Sequence, residues 1–398
     1  MWAGPTLTTL VTFNNSNGAN PYAGLIFDAG GNLYGTTYLG GASGFGTAFQ
    51  IAAGTHALTT LATFNSINGS HLNAGLIADT AGNLYGTTQR GGASSNFGTV
   101  FQIAVGTHAL TTLATFNDGN GANPYAGLVA DTAGNLYGTT EAGGAYNGSG
   151  TIFQIAAGSH AFTTVLSYVD SNGPPRVYNG KNPYAALISD GAGNLYGTTK
   201  QGGSSSLGTV FKFSTGSNAL TTLASFDGAK GNYPFGALIA DAAGNLYGTT
   251  LQGGANVVGT VFQVAAGTNV LTTLATFTGN NGAAPSAGLI ADAAGNLYGT
   301  TSVGGASNLG TVFQIASGTH TLTTLATFNN VNGANPYSSL IADSVGNLYG
   351  TTYNGGANGS GTAFELAGTG FVVPEPATFS LLAFAGLPLL RRRRRVAT

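Results

Sequence analysis

Thirteen carboxylates are the acids available to this chain, and seven of them fall at one recurring place. Asp28, Asp79, Asp131, Asp190, Asp241, Asp292 and Asp343 each open the phrase Asp-x-x-Gly-Asn-Leu-Tyr-Gly-Thr-Thr. Carboxylates at a fixed spacing invite a calcium site, but that ion needs about six to eight converging oxygens, and one acid per repeat does not supply them. Gly-Asn after two small residues is turn chemistry, because Gly supplies positive φ and Asn tolerates it. The Asp set is therefore read as structural, accepting backbone N–H groups across a tight turn.

The other acids, Asp118, Glu141, Asp170, Asp227, Glu365 and Glu375, are scattered, and no two have a spacing that marks an acid–base pair for hydrolysis. There is no Cys, which removes thiolate zinc sites, disulfides and Cys nucleophiles. His56, His108, His160 and His320 alternate with Asn218 and Asn269 at equivalent turns, so a small or polar side chain suffices there. Those turns lie about two strand spacings, roughly 10 Å, from the Asp turns, too far for a shared metal ion. His71 stands in a loop between repeats with no evident partner. No cofactor, metal or catalytic residue is expected.

Aromatic side chains offer the better binding chemistry. Asn20-Pro21-Tyr22, Asn123-Pro124-Tyr125, Asn182-Pro183-Tyr184 and Asn335-Pro336-Tyr337 share one position in the repeat, with Tyr233-Pro234-Phe235 as a variant. Rings beside amides stack on sugars and hydrogen-bond their hydroxyls; alternatively, Pro fixes the loop and Tyr fills the gap between neighbouring units. An insertion over 169–184 brings Arg176, Tyr178 and Lys181 to the same side, where Arg90, Lys200 and Lys230 also fall. The candidate binding set is Tyr22, Tyr125, Tyr184, Tyr337, Arg176 and Lys181.

What must position these groups is a repeat. Tyr34, Tyr85, Tyr137, Tyr196, Tyr247, Tyr298 and Tyr349 follow one another at 51 or 52 residues, with one interval of 59. A period of this length marks a modular array. Each unit holds four runs rich in β-branched and aromatic residues, at 74–79, 83–88, 98–104 and 109–116 in the second, separated by Gly, Asn and Ser. Four antiparallel strands repeated seven times describe an all-β, seven-bladed propeller over residues 6–368. The chain opens on a fourth strand, Thr6-Leu7-Thr8-Thr9-Leu10-Val11-Thr12-Phe13, and the seventh unit stops after its third. An N-terminal strand closing the last blade leaves no open edge, whereas a solenoid would want polar caps, and none is visible. In such a meander the Asp and His turns share one face; the long Gly-rich loops and the inter-blade loops share the other, where a binding site belongs.

Only 6% of residues are charged, Gly numbers 66, and the polar residues are mainly Ser, Thr and Asn, a composition suited to a β-rich extracellular protein. Residues 1–390 carry six basic against thirteen acidic side chains, so nothing resembles a nucleic-acid-binding face. Past the propeller, 369–376 reads as a linker. Residues 377–398 form a mostly apolar stretch, expected as a short helix, ending in Arg391, Arg392, Arg393, Arg394 and Arg395. The 14 apolar residues make about 21 Å of helix against a hydrocarbon core of roughly 30 Å, and Pro388 further disfavours a permanent span. A basic cluster after the apolar run stays cytoplasmic and puts the propeller outside.

Pro374, Glu375 and Pro376, the apolar stretch and the terminal Arg cluster together resemble the PEP-CTERM sorting signal. That resemblance implies an exosortase-type membrane transpeptidase as partner, transient inner-membrane anchoring and export to the envelope or beyond in a Gram-negative bacterium. The units Gly-Asn-Leu-Tyr-Gly-Thr-Thr and Gly-Gly-Ala-Ser-x-x-Gly-Thr-Val-Phe resemble the GloVer tandem-repeat family over residues 7–367, which implies a secreted, surface-sorted protein without established activity. Secretion needs a signal peptide, and Met1-Trp2-Ala3-Gly4-Pro5 runs straight into a strand, so the natural start is expected upstream. The functional expectation is a non-catalytic structural, adhesion or glycan-binding module, with extracellular polysaccharide as candidate partner. The alternatives are an enzyme on polysaccharide or lactone substrates and a plain spacer.

Overall fold

A computed structural model describes residues 4–93, 95–145, 148–168 and 180–374. Among these, the strands form seven antiparallel sheets, one per repeat. Blade 2 is representative: Ile77–Ala78 innermost, then Leu84–Thr88, Thr99–Ile103 and Leu110–Thr115. Burial follows the radius. Leu-Tyr-Gly-Thr-Thr is buried throughout, Thr-Val-Phe-Gln-Ile all but its Gln, and the outer strand is half exposed. Blade 4 alone among the described blades adds a fifth strand, Lys181–Pro183, paired along Asn194–Gln201.

The opening strand Thr6–Thr12 pairs with Thr362–Ala367, from Thr6 opposite Ala367 to Thr12 opposite Thr362, with a bulge between Thr9 and Val11. It becomes the outer strand of blade 7, as the unmatched ends required. Apolar clusters sit between blades rather than within them, and that between blades 7 and 1 joins Ala363 to Phe13, Leu25, Leu33, Phe49 and Ile51.

The Gly-Thr-Thr triplet does three jobs in every blade. Its Gly makes room: a Cβ on Gly86 would lie 2.6 Å from the Phe101 ring, which is fully buried on the next strand. The second Thr locks its own sheet, Thr88 Oγ1 meeting Thr99 Oγ1 at 2.9 Å and accepting the Thr99 N–H at 3.1 Å. The first Thr crosses to the next blade, Thr36 Oγ1 donating to the Ala74 carbonyl at 2.9 Å and Thr87 Oγ1 to Ala126 at 2.8 Å. The series continues through Thr139, Thr198, Thr249 and Thr300, and Thr351 Oγ1 donates to Ala23 of blade 1 at 3.1 Å. This explains why the innermost strand is two residues rather than the six expected over 74–79. The Ala74 carbonyl serves the neighbouring blade, and Gly75 packs on the Gly24 backbone, so both are drawn off their own sheet.

Each Asp turn is closed by hydrogen bonds to its own carboxylate. Asp28 Oδ1 accepts the Gly30 and Asn32 N–H groups at 2.8 and 2.9 Å; Oδ2 accepts Asn32 Nδ2 at 2.8 Å and the Tyr34 hydroxyl at 2.9 Å. Gln50 Nε2 donates to that hydroxyl at 2.8 Å, and Asn32 Oδ1 accepts the Ala53 N–H, tying the turn to its neighbour on the same face. The Asp–Asn pair recurs at Asp79, Asp131, Asp190, Asp241, Asp292 and Asp343. Lys212 and Glu365 take the Gln position in blades 4 and 7.

Past the last strand, part of the expected linker is docked. Thr369 Oγ1 donates to the Gly346 carbonyl at 3.3 Å, Val372 O accepts the Ala293 N–H at 2.8 Å, and buried Phe371 packs on Tyr298 with ring centroids 5.1 Å apart. The chain thus leaves over the Asp-turn face, across blades 6 and 7. No helix among the described residues is long and apolar enough to cross a membrane. The expected C-terminal apolar helix, with Glu375, Pro376 and Arg391–Arg395, lies outside the described residues.

Burial alone would push the Asp28, Asp79 and Asp190 carboxyls up, but hydrogen bonds from the adjoining Asn side chain and from backbone N–H groups outweigh it and hold all three below their ordinary value of 3.8. A carboxylate depressed in the fold stabilises it above the unfolded value, and that contribution is lost as pH falls through the lower, folded value. We therefore expect the thermal midpoint to drop on acidification below about pH 4. Asp79→Asn should start lower at neutral pH and fall less steeply; an identical slope in both proteins would count against the turns as acid-sensitive fasteners.

Candidate functional site

The residue after each Gly-Thr-Thr and the triplet before each inner segment meet on the face opposite the Asp turns, where backbone bridges such as Ala19–Leu39 and Ser70–Arg90 join the two loops. The residue before Pro takes left-handed φ, 56° at Asn20 and 54° at Asn335, which Asn tolerates. Its amide then crosses to the preceding blade: Asn20 Nδ2 donates to Tyr353 O, Asn182 to Glu141 O and Asn335 to Ser302 O, each at 2.9 Å. Pro and the Asn cap together aim the following side chain at the channel mouth.

Around that mouth stand Tyr22, Asn73, Tyr125, Tyr184, Phe235, Ser286 and Tyr337, one from each blade. The four tyrosines of the sequence-derived set are thus brought together, and they pack on one another. Tyr22 stacks on Tyr337 at 4.8 Å, and Tyr184 lies between Tyr125 at 4.5 Å and Phe235 at 4.4 Å. The Tyr22 and Tyr184 hydroxyls meet across the mouth. Burial pushes Tyr22 up to about 12 and Tyr184 higher still, so both stay protonated and serve as stacked rings, not as bases. Gln89 Nε2 donates to the Tyr125 hydroxyl and its Oε1 accepts from Asn73. At blade 6 the ring is small: Ser286 Oγ is buried without a hydrogen-bond partner.

An outer tier continues the aromatic surface. Tyr353 sits edge-on to Tyr22 at 6.1 Å and to Tyr337 at 5.6 Å, Tyr38 lies 6.3 Å from Tyr353 and 4.7 Å from the His71 ring, and Phe45 is 6.4 Å from His71. The run crosses blades 7, 1 and 2 and ends at a groove of about 610 Å³ lined by Phe45, Ile67, His71, Arg90 and Asn96 among others. Burial, then the Arg90 charge, holds His71 below the usual imidazole range, so it is neutral at physiological pH. On the other side, Lys200 pairs with Glu141 at 3.4 Å and lies 5.5 Å from the Phe235 ring.

Of the remaining sequence-derived candidates, Lys181 stands in the extra strand of blade 4 opposite Gln201, and Arg176 lies outside the described residues. Sequence reasoning missed Tyr38, Tyr353 and the His71–Arg90 groove. The available signal was the pair of positions after Gly-Thr-Thr, which change in nearly every repeat while the triplet does not. No cluster of three or more His, Asp or Glu suited to a metal ion occurs among the described residues.

Solved structures share this architecture at identities that show the fold alone. The extracellular domain assigned to a one-component system of B. thetaiotaomicron superposes with a TM-score of 0.59 at 12% identity. The match covers 91% of this chain but 40% of that one, so the chain spans about two fifths of that domain's length. An oligogalacturonate lyase from Vibrio parahaemolyticus gives 0.55 at 8% identity, covering 90% of this chain and 93% of the lyase. A Bacteroides fragilis protein described as a 6-phosphogluconolactonase gives 0.50 at 19% identity, covering 82% and 87%. No curated protein matches the sequence. The sequence family described as the Gloeobacter/Verrucomicrobia repeat matches residues 2–130, 92–249 and 182–382, and with nearly its whole length so covered the chain belongs to that family.

Proposed function

We propose that this is an exported, non-catalytic propeller that holds carbohydrate on its inter-blade face. The observation that carries the reading is the unbroken run of rings from Tyr337 and Tyr22 through Tyr353 and Tyr38 to His71 and Phe45. Aromatic faces and edges flanked by amides and hydroxyls suit the apolar faces and hydroxyl rims of sugars. The inner rings, Tyr22 stacked on Tyr337 and Tyr125 on Tyr184, act as a rigid floor, and Tyr38 and Tyr353 in the outer tier extend the contact surface. The likeness to an extracellular domain agrees with export. The enzymes of the same fold do not bring catalysis with them. Among the described residues of this face, Glu141 is tied to Lys200, and Asp227 binds the Lys230 backbone and side chain, so neither carboxylate stands free to serve as an acid or base for hydrolysis.

The C-terminal tail, with Pro374, Glu375, Pro376 and Arg391–Arg395, serves on this reading as a sorting signal handled by an exosortase-type transpeptidase. Because Phe371 and Val372 dock on the Asp-turn face, a tether beyond them leaves the aromatic face pointing away from the membrane.

On a glycan array, the intact protein should bind and a Tyr38→Ala/Tyr353→Ala variant of unchanged thermal midpoint should lose most of its signal. Full binding by the variant would exclude the platform, and silence from the intact protein would favour a plain spacer. Mass spectrometry of the protein recovered from the cell exterior should find Arg391–Arg395 gone; an intact C-terminus would reject sorting by cleavage.

A further inference from the structure

Blade 2 departs from its six sister blades at one spot on the inter-blade face. Where most of them carry Asn-Pro-Tyr or a close variant, blade 2 has His71-Leu72-Asn73. Where they carry Leu39, Ala142, Gln201, Gln252, Val303 or Asn354, it has Arg90. The two departures face one another. Ser70 and Arg90 exchange backbone hydrogen bonds at 2.8 and 3.0 Å, which places His71 and the Arg90 side chain on the same groove. His71 Nδ1 lies 3.2 Å from Ser70 Oγ, and its ring leans on Tyr38, so the imidazole forms a wall in place of the amide cap seen at Asn20.

Arg90 is exposed and has no acidic partner among the described residues, whereas Lys200 is paired with Glu141 and Lys230 with Asp227. An unpaired surface cation is ordinary by itself. This one stands at the edge of a groove of about 610 Å³ in a chain whose first 390 residues carry thirteen acidic side chains against six basic ones. The same groove is lined by Phe45 and by an isoleucine, Ile67, that is 67% exposed. Asn96 spends its Oδ1 on the Gly91 N–H at 2.8 Å, which leaves its Nδ2 as a donor in the groove that Arg90 also lines. The groove therefore offers an apolar wall, a neutral imidazole and two sets of N–H donors, one of them charged, with no competing carboxylate.

We propose that this groove is a subsite for a carboxylate-bearing sugar, so that the face grips acidic rather than neutral polysaccharide. Arg90 takes the carboxylate through paired N–H donors, Asn96 a neighbouring hydroxyl, and Phe45 and Ile67 the apolar face of the ring. The Tyr38–Tyr353 run then carries the following sugars towards blade 7. The proposal rests on the carbohydrate-binding reading above and adds the charge of the ligand to it.

The test is titration calorimetry with a uronic-acid tetrasaccharide, its carboxyl-reduced counterpart and inorganic sulfate, on the intact protein, Arg90→Gln and Arg90→Lys. The acid tetrasaccharide should bind, weaken with salt, and lose about 10-fold or more in affinity in Arg90→Gln, with partial recovery in Arg90→Lys. The reduced sugar should bind both the intact protein and Arg90→Gln equally and weakly. Two results would overturn the acidic subsite while leaving the aromatic face as a carbohydrate reader: equal affinity for acid and reduced sugars, or no change in Arg90→Gln. Sulfate displacing the tetrasaccharide at similar concentration would reduce the groove to a simple anion patch and also overturn it. No binding of either sugar by any of the three proteins would remove the subsite and the carbohydrate reading together.

Discussion

One buried hydroxyl crosses each blade boundary, and the rest of the molecule depends on it. The first Thr of Gly-Thr-Thr has lost its water and finds its acceptor on the neighbouring blade's inner segment, from Thr36 to Ala74 and onward to Thr351 and Ala23. An acceptor missing at any boundary would leave that Thr unsatisfied in the interior, at a cost of about 1–3 kcal/mol. The bonds thus favour a complete ring over a partial one. Apolar clusters between blades act in the same direction, and the pairing of Thr6–Thr12 with Thr362–Ala367 holds the last boundary shut.

Closure also divides the labour of the two faces. On one, every turn is consumed by its own Asp, Asn and Tyr, and the outgoing chain lies across blades 6 and 7. On the other, each blade turns one side chain towards the axis, and in four of them a Pro and the preceding Asn set its direction. Few of these side chains need be the same for the scaffold to hold. Blade 6 has Ser286 and blade 2 has Asn73 where others have aromatic rings, and both keep the fold. A face made of variable residues on an invariant frame is where a binding surface can change without endangering stability.

The architecture was legible in the sequence because each repeat states it again: period, four strand-like runs, and complementary unpaired ends. The Asp role was legible for the same reason, since one carboxylate in a Gly-Asn turn has few other uses. Less visible was the short inner strand, because its cause, the Thr36–Ala74 bond, joins residues 38 positions apart in different blades. Tyr22, Tyr125, Tyr184 and Tyr337 could be grouped by their shared position in the repeat, but their mutual stacking could not be read from spacing, which says nothing of ring orientation. The His71–Arg90 groove needed the backbone bridge between two loops to bring its members together, and Phe371 was hidden inside what composition marks as linker.

Ring closure has one direct chemical test, made clean by the absence of native Cys. Thr6 and Ala367 face each other across the closing pair, and antiparallel partners stand about 4.5–5.5 Å apart at Cα, within reach of a disulfide. A Thr6→Cys/Ala367→Cys protein, oxidised at high dilution, should form an intramolecular bond nearly quantitatively, as seen by intact mass and by a raised thermal midpoint that reverts on reduction. Free thiols after oxidation, or disulfide-linked dimers in place of the monomer, would show that the first strand and the last blade do not meet.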